Sequence, residues 1–201
     1  MRYSYEENGF GESAKRNKGV SKYNVDWHIV RSKEYTERFS TLSDNDKANA
    51  LIASKSRKAL TNRDGKNTEE LYAVGLKNGT LVSKITDQNY PFAIKRTPKF
   101  NSDIERAEKN GENVLFIHNH PGGTPPSLED LNELLNHERA VGITVGHNGS
   151  IYYYTRPKRL ITEDDYTIAK MDIQGYNVPI VKDEKILEAL SEEFGFTFKI
   201  L

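Results

Sequence analysis

Apolar positions recur along this chain in two rhythms. Over 42–60, "LSDNDKANALIASKSRKAL", Ala48, Leu51, Ile52 and Ala59 share roughly one face of a 3.6-residue period. That predicts a helix, with Ser43 as its natural N-cap. Over 69–87, "EELYAVGLKNGTLVSKITD", the pattern alternates instead, in two runs flanking Asn78-Gly79, and predicts a hairpin. "VDWHIV" (25–30) reads as a short strand anchored by Trp27, and "PFAIKR" (91–96) as another. "NSDIERAEKNGEN" (101–113) predicts a helix closed by Asn110-Gly111. "NVLFIHNH" (113–120) is largely apolar, as a buried central strand should be. "PSLEDLNELLNHERA" (126–140) predicts a helix with a stripe of Leu128, Leu131, Leu134 and Leu135. "VGITVGHNGSIYYYTR" (141–156) is a second hairpin, turning at Asn148-Gly149, and helices follow at 162–173 and 183–195. Strands and helices mixed in this order predict an α/β fold: a mixed, mainly antiparallel sheet flanked by helices.

Length and charge add a division of the chain. With 201 residues, 36% of them hydrophobic, the sequence suits one domain with extensions around one modest core. Residues 1–24 are rich in Gly, Ser, Asn and Lys and lack periodicity, so 1–41 is expected to be a flexible basic arm. The domain proper would span 42–160, with an acidic helical extension at 161–201. Residues 1–63 carry 13 Lys/Arg against 8 Asp/Glu, and 161–201 carry 4 against 9. Such blocks read either as solvated faces or as a basic arm that docks on an acidic partner. The net charge is zero, which gives the whole chain no electrostatic footprint for nucleic acid. There is no cysteine, so disulfides, thiol catalysis and Cys-based zinc sites are excluded. The N-terminus has no apolar signal region, and no run approaches the roughly 18 apolar residues that span a bilayer. The expectation is a soluble, cytoplasmic protein.

The chemistry concentrates in "FIHNHPGGTPPSLEDL" (116–131). On a strand, His118 and His120 point to one side and Asn119 to the other. Two imidazoles so placed are spaced for one metal ion, and a catalytic zinc needs a third protein ligand with a position left open. Asp130 is the candidate, because the loop 121–126 can turn the next helix back toward the strand end. A carboxylate not bound to metal must then accept a proton from water; Glu70, at the start of "EELYAV", is the first candidate, with Glu69 the fallback. Ser127 could steady an oxyanion. Each feature also has a plain structural reading. Ser-x-x-Asp before an apolar run looks like a helix cap, His-x-His like a satisfied pair, and Glu69-Glu70 like surface charge.

These residues carry a resemblance. "HNHP" followed by "PSLED" resembles the JAMM (MPN+/JAB) zinc metallopeptidases, and more narrowly their RadC-like branch. The resemblance covers about residues 65–155. It implies His118, His120 and Asp130 as zinc ligands, Glu70 as the acid/base glutamate within "ELYAVGL", and Ser127 as the oxyanion serine. It further implies a cytidine-deaminase-like architecture and one Zn2+ per chain. The chemistry would be hydrolysis of peptide or isopeptide bonds in a peptide or ubiquitin-like protein substrate. The interval from His120 to Asp130 is ten positions, one short of the family's usual spacing, which puts the placement of Asp130 to the test. The loop with "PPS", preceded by a Lys/Arg-rich helix, is similar to JAMM-like domains of phage and prophage head-morphogenesis proteins. That implies a bacterial or phage-encoded chain.

Rival readings differ in what they require. An HNH nuclease is rejected, because its motif is dispersed over a ββα-metal hairpin and is not a literal His-Asn-His. A RadC-like DNA-associated role needs phosphate contacts that zero net charge does not favour. A non-catalytic scaffold of the JAB fold has no use for a free glutamate beside the ligands. His147 reads as loop polarity or as a substrate contact at the rim, and His137 as a residue of a helix C-terminus. Tyr152–Tyr154 read as packing, with Tyr153 able to grip a peptide added to the sheet edge.

Overall fold

Both Asn-Gly pairs turn the chain as predicted, with Gly79 at φ +60° and Gly149 at φ +83°, a region that glycine enters without strain. In this computed structural model, which describes residues 21–174 and 182–201, those turns close two hairpins of one six-stranded sheet. The first joins β1 (Leu71–Gly75) to β2 (Thr80–Ile85), and the second joins β4 (Ala140–Gly146) to β5 (Ile151–Thr155). Between them runs β3 (Val114–His120), buried along its whole length as its apolar sequence predicts. With β6 at Phe198–Ile200, the strand order is β2-β1-β3-β4-β5-β6, and only β3 and β4 run parallel. This is the predicted α/β class, with helices on both faces.

One face packs on α3 (Asp46–Arg63), whose Ile52, Ala53, Ala59 and Leu60 meet Tyr72, Val74, Leu115 and Ile117. Its N-cap is Asn45, which accepts from the backbone of Lys47 and Ala48; Ser43, the expected cap, instead donates to the Leu76 carbonyl. The other face packs on α4 (Pro98–Lys109), α5 (Leu128–Glu133), α6 (Glu163–Gln174) and α7 (Asp183–Phe194). There Phe100, Ile104, Leu131, Ile186 and Leu190 cover Leu71, Ala73 and Phe116.

Five expectations need correction. "VDWHIV" is not a strand: Asp26 caps a single helical turn, α1 (Trp27–Val30), and α2 (Lys33–Glu37) follows behind a Ser32 cap. Residues 21–41 are therefore not a flexible arm, since Val25, Val30, Tyr35 and Phe39 are buried against the α3 side; residues 1–20 of that arm lie outside the described residues. The segment after 160 is not an appendage either. Its helices complete the core, and β6 (Phe198–Ile200) pairs with β5, so Tyr153 faces the chain's own strand across that edge. Finally, "PFAIKR" forms only one bridge, Thr68 to Pro91, and otherwise runs as a loop along the site side of the sheet. Its pattern is too short, and Pro91 removes a ladder donor. The predicted helix 126–140 ends early: α5 passes at Leu134 into one 3₁₀ turn, Leu134–Asn136.

Candidate metal centre

Strand alternation builds the centre. Phe116, His118 and His120 point to the face that carries α5, while Leu115, Ile117 and Asn119 point to α3. Both imidazoles are buried, at 4% and 8% exposure, with their Nε2 atoms 2.9 Å apart. The chain then turns back: Gly123, at φ +70°, donates its N–H to the His120 carbonyl at 3.0 Å. The shortened loop still delivers the carboxylate. Asp130 Oδ1 lies 3.3 Å from His118 Nε2, and Oδ2 lies 3.4 Å from His120 Nε2.

The helix-cap reading holds at the same time. Ser127 Oγ accepts from the Asp130 N–H at 3.2 Å, and Asp130 Oδ2 accepts from the Ser127 backbone at 2.8 Å, a full capping box. Ser127 also donates its hydroxyl to Asp130 Oδ2 at 2.8 Å. Ser127 borders the cleft, and its hydroxyl bonded to the carboxylate steadies Asp130.

The three donor atoms fit a metal ion. One ligand atom from each of His118, His120 and Asp130 lies within 4.8 Å of the others, a cluster that an ion with ligand bonds of about 2.0–2.1 Å can draw together. Among the described residues this is the group of three His, Asp or Glu side chains that can hold an ion. His120 Nδ1–H donates to the Thr124 carbonyl at 3.1 Å, which fixes the tautomer and leaves the Nε2 lone pair facing its two neighbours. Without a cation, a proton must fill that gap. Burial opposes a charge on His120, yet Asp130 and Glu69 raise its pKa. Burial also opposes the charge of Asp130, but the imidazoles hold its carboxyl well below the usual range.

The two adjacent glutamates separate here. Leu71 pairs with His118, and extending that antiparallel register by two places sets Glu69 opposite His120, on the same face. Glu69 is half-buried and lines the cleft with both histidines and Asp130; burial raises its pKa, with the histidines opposing. Glu70 is a correction to the sequence reading. It points to the α3 face, where it is 2% exposed and accepts from Asn62 at 3.1 Å and from the Tyr72 hydroxyl at 2.6 Å. Arg63 Nε lies 3.3 Å from Glu70 Oε1, an ion pair held by charge, because that N–H has no aligned acceptor. Glu70 is out of reach of the metal centre, with the sheet between them.

A cleft of about 900 Å³ opens above the centre. Its walls include two groups to which sequence reasoning gave no place at the site. Tyr154 crosses the floor over Gly142, and Arg96 stacks on Phe116, 4.4 Å from guanidinium carbon to ring centre. Neither carries a local signal, because both arrive from other elements. His147 is not a rim contact: it is 1% exposed and bonded to Asn119 and to the Tyr23 carbonyl. His137 is buried beside Arg96 and Glu108.

Fold and site together define an α/β protein whose central strand ends in a buried His-His-Asp group able to hold a metal ion, beside an open cleft. Comparison with family models, curated proteins and solved structures returns no match. No helix among the described residues is long and apolar enough to cross a membrane.

Proposed function

We propose that this chain is a zinc-dependent hydrolase of peptide or isopeptide bonds, of the JAMM-like kind its motif resembles. One observation carries the reading: two imidazoles and one carboxylate converge at ligand spacing, with an uncoordinated glutamate on the same sheet face. Two nitrogens and one oxygen suit zinc, and a site with three protein ligands leaves a position open to the cleft. When bound, zinc supplies a Lewis acid that polarises the scissile carbonyl and acidifies the attacking water. Asp130 brings the negative charge, and Thr124 keeps His120 in the ligating tautomer. Glu69 takes the proton from the attacking water and passes it to the leaving nitrogen as the C–O bond forms and the C–N bond breaks. The cleft has room for an extended peptide or the tail of a ubiquitin-like protein.

Elemental mass spectrometry of the untagged protein, beside a His118→Ala/His120→Ala variant, tests this first. About one zinc per chain in the wild type and almost none in the variant is expected. An unaltered chain that takes up no metal even after zinc is added back would sink the proposal. With zinc present, the protein should cleave peptide or ubiquitin-like substrates; a zinc-loaded chain that cleaves neither would remove the hydrolase reading and leave the metal site.

A further inference from the structure

Arg96 is the one Lys or Arg among the described residues that line the cleft. It is held from two sides. Its guanidinium lies over the Phe116 ring at 4.4 Å and over the Phe100 ring at 5.4 Å. Its Nη1 is tethered to Glu133 Oε1 and to His137 Nε2, each at 3.1 Å. Nε and Nη2 make no hydrogen bond with a described residue, and neither belongs to the buried polar atoms that lack a partner. With the side chain 17% exposed on the cleft wall, that edge is open to what enters. The Nε–Nη2 edge of an arginine is a fork that matches both oxygens of a carboxylate, and here stacking and tether have already fixed its orientation.

Position matters as much as charge. Phe116, which carries the guanidinium, precedes His118 by two places on the same face of β3, roughly 7 Å along the strand. That is about two residues of an extended peptide away from the metal ligands. The other charged walls are acidic: Glu69 and Glu129 would repel an anion placed elsewhere, and Glu133 occupies Nη1 of Arg96 without taking its Nε–Nη2 edge. Apart from the metal itself, Arg96 is therefore the place on the cleft wall where a substrate carboxylate meets attraction.

We propose that Arg96 is a specificity-determining residue that binds a carboxylate of the peptide substrate about two residues from the scissile bond. This rests on the hydrolase reading for its meaning, but not for its test. The carboxylate is either an acidic side chain or a free C-terminus, and the test separates the two. The protein used is the full chain carrying Glu69→Gln, loaded with zinc, so that binding is read without turnover. The probes are fluorescein-labelled Ala/Gly octapeptides with one Glu walked along the chain, the same set with Gln, and the Gln set with free and amidated C-termini. Binding is followed by fluorescence anisotropy.

One Glu position, or the free C-terminus, should bind roughly 10- to 100-fold more tightly than its neutral counterpart, the range for hydrogen bonds to a charged group. Arg96→Met, which keeps an apolar stem over Phe116, should erase that preference. Arg96→Lys should restore part of it. Equal binding of charged and neutral peptides, or no binding of either, overturns the proposal. So does a preference that survives Arg96→Met in a variant that still loads zinc, since the carboxylate would then be reaching the metal. Should the preference appear while the zinc-loaded wild type cleaves nothing, the carboxylate site stands and the hydrolase reading falls.

Discussion

Glu69 and Glu70 are neighbours in sequence and lie on opposite sides of the sheet. On the α5 side, Glu69 sits at a cleft with two imidazoles and a carboxylate whose lone pairs converge on one point. On the α3 side, Glu70 sits in a closed network of Arg63, Asn62 and Tyr72, and Asn119 caps its backbone at 2.9 Å. The first face brings three metal-ligating side chains together, as a cation site requires. The second supplies donors to its charge and admits no ligand. The same residue type thus lines a cleft beside metal-ligating groups on one face and serves cohesion on the other, and the difference is one step of strand alternation.

Paired substitutions separate the roles. Glu69→Gln should retain zinc and fold stability while hydrolysis falls about 10²- to 10⁴-fold, the usual worth of a positioned acid/base. Glu70→Gln should do the reverse. It leaves Arg63 without its countercharge in a buried site, a loss of about 3 kcal/mol in denaturant unfolding, near the low end for a broken buried pair. The low end applies because Arg63 keeps Thr68 and the Thr86 and Gln88 carbonyls. Should Glu70→Gln abolish hydrolysis in a fully stable protein, the division between the faces is wrong.

A smaller effect is expected at the cleft floor. A Cβ on Gly142 would lie 2.2 Å from Tyr154 Cζ, and Tyr154 is only 2% exposed, so the ring must rise into the cleft. Gly142→Ala should cost about 1–3 kcal/mol, as overpacked sites do. It should also raise KM more than it lowers kcat, because it narrows the groove without touching Glu69 or the ligands. A structure of this variant with Tyr154 unmoved would show that the floor has slack.

How much of this was legible follows from the range of each signal. The apolar run of β3, both Asn-Gly turns and the His-x-His parity are local, and the structure reproduces them. Ser127 and Asp130 were readable as a cap, which the geometry forms, and Asp130 also as a ligand, which its place beside both imidazoles allows. The choice between Glu69 and Glu70 was not readable, because it depends on the pairing of β1 with β3, and a slip of one residue exchanges the faces. Residues 21–41 read as an arm because their few apolar side chains, Val30, Tyr35 and Phe39, have no periodic pattern; they are ordered by a surface supplied by α3. Arg96 lay in a segment read as a strand, and its role comes from Phe116 and Glu133, far off in sequence.

The faintest test of the two faces is their opposite response to pH in the metal-free protein. His147, on the α3 side, donates Nδ1–H to the Tyr23 carbonyl at 2.6 Å and accepts from Asn119 Nδ2 at 3.2 Å through Nε2, so the network wants it neutral. Burial lowers its pKa, against smaller opposing effects of Tyr23 and Asp64. The unfolded chain then binds more protons than the folded one below about pH 6.5, and this contribution to stability is lost as pH falls. His120 runs the other way. Burial opposes its charge, but Asp130 and Glu69 raise its pKa, so its contribution is present at low pH and is lost as pH rises through the folded pKa. Thermal unfolding of the metal-free wild type, His147→Gln and His120→Gln across that range should show two gaps that close in opposite directions. The His147→Gln gap narrows toward acid and the His120→Gln gap narrows toward neutral pH. Gaps that move together would mean that one field spans both faces and that the sheet does not divide them.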